Sequence, residues 1–345
     1  MPHLAFVPAT AAADTKADLA SQTTMALARV DERLRAQRST LADALALTVY
    51  LGRAADFPAM NDAYRQAFKA APPTRTTVIT PPMTAGALVE IAAVGATAGS
   101  DRRVVHPASW MASPNPYSYG VRSGDLLFLS GLIARNGRDN SVVGGNVPTQ
   151  TAAVMQNARE LLDAAGLSFA HLVSARAFLP DLKDFPEFNR VYREHVGAEK
   201  PTRATVGAAL TSTQYNVEIT FVASAAPRQL IEVSDQPSPN LSAAVRTGNS
   251  LFVSGLLPDA DALKGDGAAQ ARDILRKLDA IVAKAGFART DVRDLLVYVT
   301  DEDAGKAAAS VCRDAFGANV AISPVKVGLA LDAARVEIMT YLERG

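Results

Sequence analysis

The chain has 345 residues, 48% of them hydrophobic and 20% charged, which is ample apolar material but too long for one ordinary core. Thirty-five basic residues balance thirty-five acidic ones with no long basic run, which argues against a protein that holds nucleic acid or an anionic membrane by charge. A single cysteine, Cys312, rules out an intramolecular disulfide framework, and no uncharged apolar stretch reaches bilayer-spanning length.

Met1-Pro2-His3-Leu4 offers no basic segment ahead of an apolar one, so no signal peptide is expected and the chain reads as cytoplasmic. Leu4–Pro8 follows as a candidate strand. Further on come Asp56-Phe57-Pro58-Ala59-Met60-Asn61-Asp62-Ala63-Tyr64, Pro73-Thr74-Arg75 and Val89-Glu90-Ile91. The middle of the chain is more complete. A strand around Tyr117–Val121 turns at Ser123-Gly124-Asp125 into the apolar run Leu126–Leu132, a hairpin signature. Ala152, Met155, Ala158, Leu162 and Ala165 fall at helical spacing, and Gly166 follows as a stop. Leu172–Leu179 reads as a strand and Phe185–Val196 as a second helix. Ala204–Leu210 and Val217–Ser224 read as two closing strands, giving the order ββαβαββ.

The chain repeats itself. Asp56–Tyr64 returns as Asp184-Phe185-Pro186-Glu187-Phe188-Asn189-Arg190-Val191-Tyr192, Pro73-Thr74-Arg75 as Pro201-Thr202-Arg203, and Val89-Glu90-Ile91 as Val217-Glu218-Ile219, all at an offset of 128. A third copy is visible where Val121–Leu132 returns as Val245–Leu256, and Val336-Glu337-Ile338 repeats the last strand. The copies span residues 1–101, 102–229 and 230–345, the first shortened at its front. Each is an α+β unit whose helices cover one sheet face and whose other face needs a partner. Three such units would satisfy one another around a common barrel-like centre.

The motifs Asn115-Pro116-Tyr117-Ser118, Leu129-Ser130-Gly131, Phe188-Asn189-Arg190-Val191-Tyr192, Pro201-Thr202-Arg203 and Val217-Glu218-Ile219 carry a resemblance. In their order and spacing, copy two resembles the RidA (YjgF/YER057c/UK114) family, whose members share a chorismate-mutase-like unit and form homotrimers with clefts between subunits. The resemblance implies a covalent pseudo-trimer, alone or as a homodimer of it. It implies hydrolysis of a small carboxylate-bearing imine or enamine to a keto acid and ammonia, with no metal and no organic cofactor. The carboxylate anchor is then Arg203, since a guanidinium matches a carboxylate with a planar two-pronged donor pair. Glu218 handles protons, Tyr117 and Ser130 complete the catalytic set, and Asn189, Gly131 and Thr205 line the substrate. Copy one offers Arg75, Asn61 and Glu90 in the same roles.

The copies differ in equipment. In copy three the counterpart of Arg203 is Ser323 or Pro324, Asn189 is matched by Ala309 and Tyr117 by Leu241, leaving Ser254 and Glu337. Copy one has Pro8-Ala9 where copy two has Ser130-Gly131, so Arg75 would have to borrow groups from another copy. A plain Arg203–Glu218 bridge competes with a catalytic role for that pair, because an ionised glutamate in an apolar strand needs a partner. Some relatives have been called endoribonucleases, which the neutral charge balance does not favour. A chorismate-hydrolysing enzyme and a non-catalytic carboxylate-binding protein are the rival functions. His3, His106, His171 and His195 show no metal-like spacing, and Cys312 reads as core.

Overall fold

The computed structural model describes residues 3–97 and 99–345, so Met1 and Pro2, used above in reading the N-terminus, lie outside it. Unit one comprises β1 (Leu4–Ala11), α1 (Leu19–Arg35), β2 (Ala44–Leu51), α2 (Phe57–Ala67), β3 (Thr74–Ile79) and β4 (Val89–Ala96). Unit two comprises β5 (Arg102–Val105), β6 (Gly120–Ser123), β7 (Leu126–Leu129), β8 (Leu132–Ile133), α3 (Val147–Ala164), β9 (Leu172–Leu179), α4 (Phe185–Val196), β10 (Thr202–Gly207) and β11 (Glu218–Ser224). Unit three comprises β12 (Arg228–Ile231), β13 (Ala244–Thr247), β14 (Ser250–Leu256), α5 (Gly267–Lys284), β15 (Val292–Val299), α6 (Glu302–Phe316), β16 (Ala321–Lys326), β17 (Gly328–Leu329) and β18 (Val336–Glu343).

The long helices begin where a side-chain oxygen takes an otherwise unpaired first-turn amide. Asp18 accepts from Ser21, Asn146 from Thr149, Asp266 from Ala269 and Asp301 from Ala304. Gly166, expected as a stop, follows α3 with φ +70°, a backbone shape that costs other residues strain. β9 and α4 have the bounds expected of them. Sequence reading missed β5 and β12, short strands that pair with β6 and β13. The expected first strand of the hairpin lies at Gly120–Ser123 rather than Tyr117–Val121, because Tyr117 belongs to the loop before it.

Each unit places two helices on one face of its sheet. The apolar sides of those helices and strands make three separate cores, such as Val154, Leu161, Phe188, Tyr192, Ile219 and Phe221 in unit two. The opposite faces meet one another. Tyr50 and Val78 of unit one, Phe178 and Val206 of unit two, and Tyr298 and Val325 of unit three form one cluster. Leu45, Val121, Val173, Val245 and Tyr341 form another. This is the α+β pseudo-trimer that the repeats implied, and it answers the burial problem each unit has alone. Among the described residues no helix is long and apolar enough to cross a membrane.

A feature of the edge strand matters for function. The pairing of β1 with β4, of the β7–β8 segment with β11, and of β14 with β18 each shifts register at the same place. The residues there are Pro8-Ala9, Ser130-Gly131 and Ser254-Gly255. A β-bulge re-aims side chains at the rim of a sheet, and each of these three lies where two units meet.

Candidate active site between units one and two

The arginine and glutamate within one copy cannot meet. Arg75 is paired with Leu47 across β2–β3, and Glu90 with Tyr50 across β2–β4, three residues apart on β2. Alternation along a strand puts them on opposite sheet faces. Leu47 lies in the helix-side core and Tyr50 in the central cluster. The same holds for Arg203, paired with Ala175, and Glu218, paired with Phe178. The grouping of Arg203 with Glu218 expected from the sequence, catalytic or bridging, is therefore not the one the structure brings together. Instead each arginine faces the glutamate of the following unit.

Between units one and two a cleft of about 260 Å³ is lined by Phe57, Arg75 and Thr77 from unit one. From unit two come Asn115, Tyr117, Gly131, Ile133, Arg135, Thr211, Ser212, Tyr215 and Glu218. Arg75 is only 4% exposed, and rings surround its guanidinium, Tyr64 at 4.8 Å, Tyr117 at 5.4 Å and Phe57 at 5.5 Å. These faces are attractive to a cation, yet they supply no acceptor. Arg75 Nη1 is buried without a hydrogen-bond partner, and among the described residues no acidic side chain forms an ion pair with it.

Glu218 is buried at the same cleft. Burial pushes its carboxyl up to about 8, against the pull of the Thr77 amide, Arg75 and Arg176. Its position depends on Gly131. A methyl group there would lie 2.8 Å from Glu218 Cδ, so only glycine leaves the carboxyl its place over the bulge. Ser130 is fully buried and its hydroxyl is committed twice, donating to the Ser118 carbonyl at 2.7 Å and accepting from the Arg75 amide at 2.9 Å. The Gly131 amide donates to the Arg75 carbonyl at 3.0 Å. These bonds fasten β3 of unit one to the bulge of unit two and set where Arg75 begins. Asn61, buried in α2, donates to Asn115 Oδ1 at 3.2 Å and so reaches the cleft through that residue.

The interface of units two and three repeats this frame with different furniture. Ser254 donates to the Ser242 carbonyl at 2.6 Å and accepts from the Arg203 amide at 2.9 Å. Gly255 leaves room for Glu337, whose carboxyl burial also raises to about 8. Arg203 is surrounded by Tyr192 at 4.6 Å, Phe188 at 5.2 Å and Phe185 at 5.8 Å. Its Nη2 donates to Asn189 Oδ1 at 2.6 Å while Nε and Nη1 are buried without a hydrogen-bond partner, and Thr205 is buried beside it on β10. Leu241 and Asp259 occupy the places of Tyr117 and Arg135.

The third interface has lost the set. The ladder of β15 and β16 pairs Leu295 with Ile322, which makes Ile322 the counterpart of Arg203 in place of the expected Ser323 or Pro324. Ser323 faces inward and accepts from the Ala9 amide at 3.0 Å. Ala9 carries the methyl that Gly131 lacks, and Glu90 is turned to its own loop, accepting from the Met83 and Thr84 amides at 3.0 Å each. Met83 packs against α6 at Gly305, the position that Phe185 holds in α4.

Sequence reading named Arg75, Tyr117, Gly131 and Glu218 but missed Asn115 as a lining residue, Thr77, Arg135, Thr211, Ser212 and Tyr215. Thr77 had a signal, two residues beyond Arg75 in the same strand, matching Thr205 beyond Arg203. The loop residues had none, because their approach to the cleft is set by packing.

The fold and this frame define a class: three α+β units in one chain, with an arginine of one unit set toward a glutamate of the next at two of the interfaces. The profile of the Endoribonuclease L-PSP family matches residues 4–97, 108–225 and 233–343, and the chain belongs to that family, the one also known as RidA, in three tandem copies. "RutC family protein SSO3206" of Saccharolobus solfataricus is 39% identical over 108 residues, 31% of this chain and 86% of that protein. "Reactive Intermediate Deaminase A, chloroplastic" of Arabidopsis thaliana is 30% identical over 122 residues, 35% of this chain and 65% of that protein. A crystal structure of a chorismatase covers 99% of this chain and 98% of its own, with a TM-score of 0.62 at 16% identity, a likeness of fold.

Proposed function

We propose that the cleft between units one and two hydrolyses imines, and enamines that tautomerise to them, of small carboxylic acids to the keto acid and ammonia. One observation carries this reading: a buried guanidinium, Arg75, without a hydrogen-bond partner on Nη1, shares a cleft with Glu218, a carboxyl held protonated at neutral pH. The substrate carboxylate takes the two-pronged donor set of Arg75. Glu218 donates its proton to the imine nitrogen as water adds to the carbon, and the resulting carboxylate accepts the proton that water sheds. In the second half Glu218 protonates the amine and the hydroxyl proton returns to it. The C–N bond breaks, ammonia leaves and the keto acid remains. Membership in a family with a named reactive-intermediate deaminase supports the same chemistry.

The test is ammonia release from enzymatically generated 2-iminopropionate by wild type, Arg75→Ala and Glu218→Gln. Wild type should exceed the enzyme-free rate in proportion to dose, and both variants should fall to it. Wild-type release no faster than the enzyme-free rate would overturn the reading.

A further inference from the structure

Arg135 is the second guanidinium of the same cleft, and the function proposed above does not use it. Its backbone is pinned: Asn157 of α3 donates to the Arg135 carbonyl at 2.6 Å, and the Arg135 amide donates to the Ile133 carbonyl at 2.8 Å. Its side chain is aimed by Nε, which donates to the Asn140 carbonyl at 2.9 Å. Asn140 adopts a left-handed φ of 59° and accepts from the Tyr119 hydroxyl at 3.1 Å, so the anchor is itself held. The two Nη groups make no hydrogen bond or ion pair among the described residues. Glu218 is the cleft's one acidic lining residue.

Two guanidiniums line one partly desolvated space, and neither has an ion-pair partner among the described residues. A ligand with one carboxylate satisfies one of them; a ligand with two satisfies both. The other interfaces show that this charge is not part of the frame the units share. At the place of Arg135 unit three has Asp259, ion-paired with Arg276 at 2.6 Å and Lys277 at 2.7 Å, and unit one has Ala13.

We propose that Arg135 binds a second anionic group and that this cleft selects small dicarboxylates over monocarboxylates. In the proposed reaction the substrates are then the imines of about four- or five-carbon dicarboxylic acids, a size compatible with a cleft of about 260 Å³. The inference rests on Arg75 as the anchor of the first carboxylate. Arg135 sets specificity through a fork that fits a planar carboxylate, and a lysine would supply the charge without that fit.

The test uses the full chain and ligands that need no turnover. Calorimetric titration should give 2-oxoglutarate and oxaloacetate at least about tenfold tighter binding than pyruvate, the scale of a charge-assisted hydrogen bond. Arg135→Gln should bring that ratio to within about threefold while pyruvate affinity is kept, which also reports an intact cleft. Arg135→Lys should retain part of the preference. A wild-type ratio near one, or a preference that Arg135→Gln leaves intact, overturns the inference. Ammonia release separates the two proposals. Arg135-dependent binding of dicarboxylates with no imine hydrolysis keeps the dianion site and removes the deaminase. Hydrolysis of 2-iminopropionate together with a wild-type binding ratio near one, or with a dicarboxylate preference that Arg135→Gln leaves intact, does the reverse, and no binding of any keto acid together with no hydrolysis removes both.

Discussion

The interfaces on either side of unit two share one construction and differ in what it presents. Each has a serine of a bulge bridging two backbones, a glycine making room for a buried carboxyl, and an arginine among aromatic rings. In the first, Nη1 of Arg75 is buried without a hydrogen-bond partner, and the arginine fronts a cleft walled by Tyr117, Arg135 and Tyr215. In the second, Nη2 of Arg203 is tied to Asn189 though Nε and Nη1 are unpaired, and Leu241 and Asp259 stand where Tyr117 and Arg135 would. The frame is thus common to both interfaces, and what distinguishes them is the set of residues placed around it. Fusing three units in one chain is what allows one interface to be furnished and another to be closed, as Met83 and Ile322 close the third.

The largest test of that comparison exchanges the arginines. Arg75→Ala should lower kcat/KM for an imine by about a hundredfold or more, the loss of a two-pronged charged contact. Arg203→Ala should cost stability but keep activity per folded molecule within about threefold. Equal losses in both would erase the distinction between the interfaces.

The glycines sharpen it next. Gly131→Ala should displace Glu218 into the situation of Glu90 and reduce turnover about ten- to a hundredfold with the fold retained. Gly255→Ala should make the same clash with Glu337 and leave turnover near wild type. Circular dichroism with ammonia release reads both.

A third test uses pH. Glu218 and Glu337 titrate near 8 in the folded chain, well above the ordinary 4.5. The folded state therefore holds these protons more tightly than the unfolded one. The stability they contribute is complete below about 4.5 and is lost as pH rises through about 8. Glu218→Gln or Glu337→Gln should remove part of that loss, raising stability at pH 9 relative to wild type by on the order of 2 kcal/mol each. The two should be alike in denaturation yet unlike in activity. Unchanged pH dependence of stability in both would show that the carboxyls are ionised throughout.

The smallest effect concerns the serines. Ser130→Ala and Ser254→Ala each strand a buried amide of the neighbouring unit and a carbonyl of their own, and should cost about 1–2 kcal/mol apiece in chemical denaturation. Only Ser130→Ala should also raise KM, since it loosens the strand that carries Arg75.

Much of this was legible in the residues. The constant offset of 128, the Gly166 stop, the helix Phe185–Val196 and the strand Leu172–Leu179 are local patterns, and local patterns survive any tertiary arrangement. So were the loss of the arginine from copy three and the departure of Pro8-Ala9 from the bulge sequence. The exact counterpart in copy three was not. Ser323 and Ile322 are neighbours in sequence but face opposite sides of a strand, and only the pairing of Leu295 with Ile322 decides between them.

The sequence by itself determined three units, their element order, and a recurring arginine and glutamate in the first two. The tertiary structure decided which arginine meets which glutamate. Arg203 and Glu218 are 15 residues apart in the chain but project from opposite faces of one sheet, so neither can reach the other. Arg75 and Glu218 belong to different units and share a cleft because the arginine strand of one unit abuts the bulge of the next. Strand alternation fixes a side chain's face only once register is known, and register across units is a property of packing.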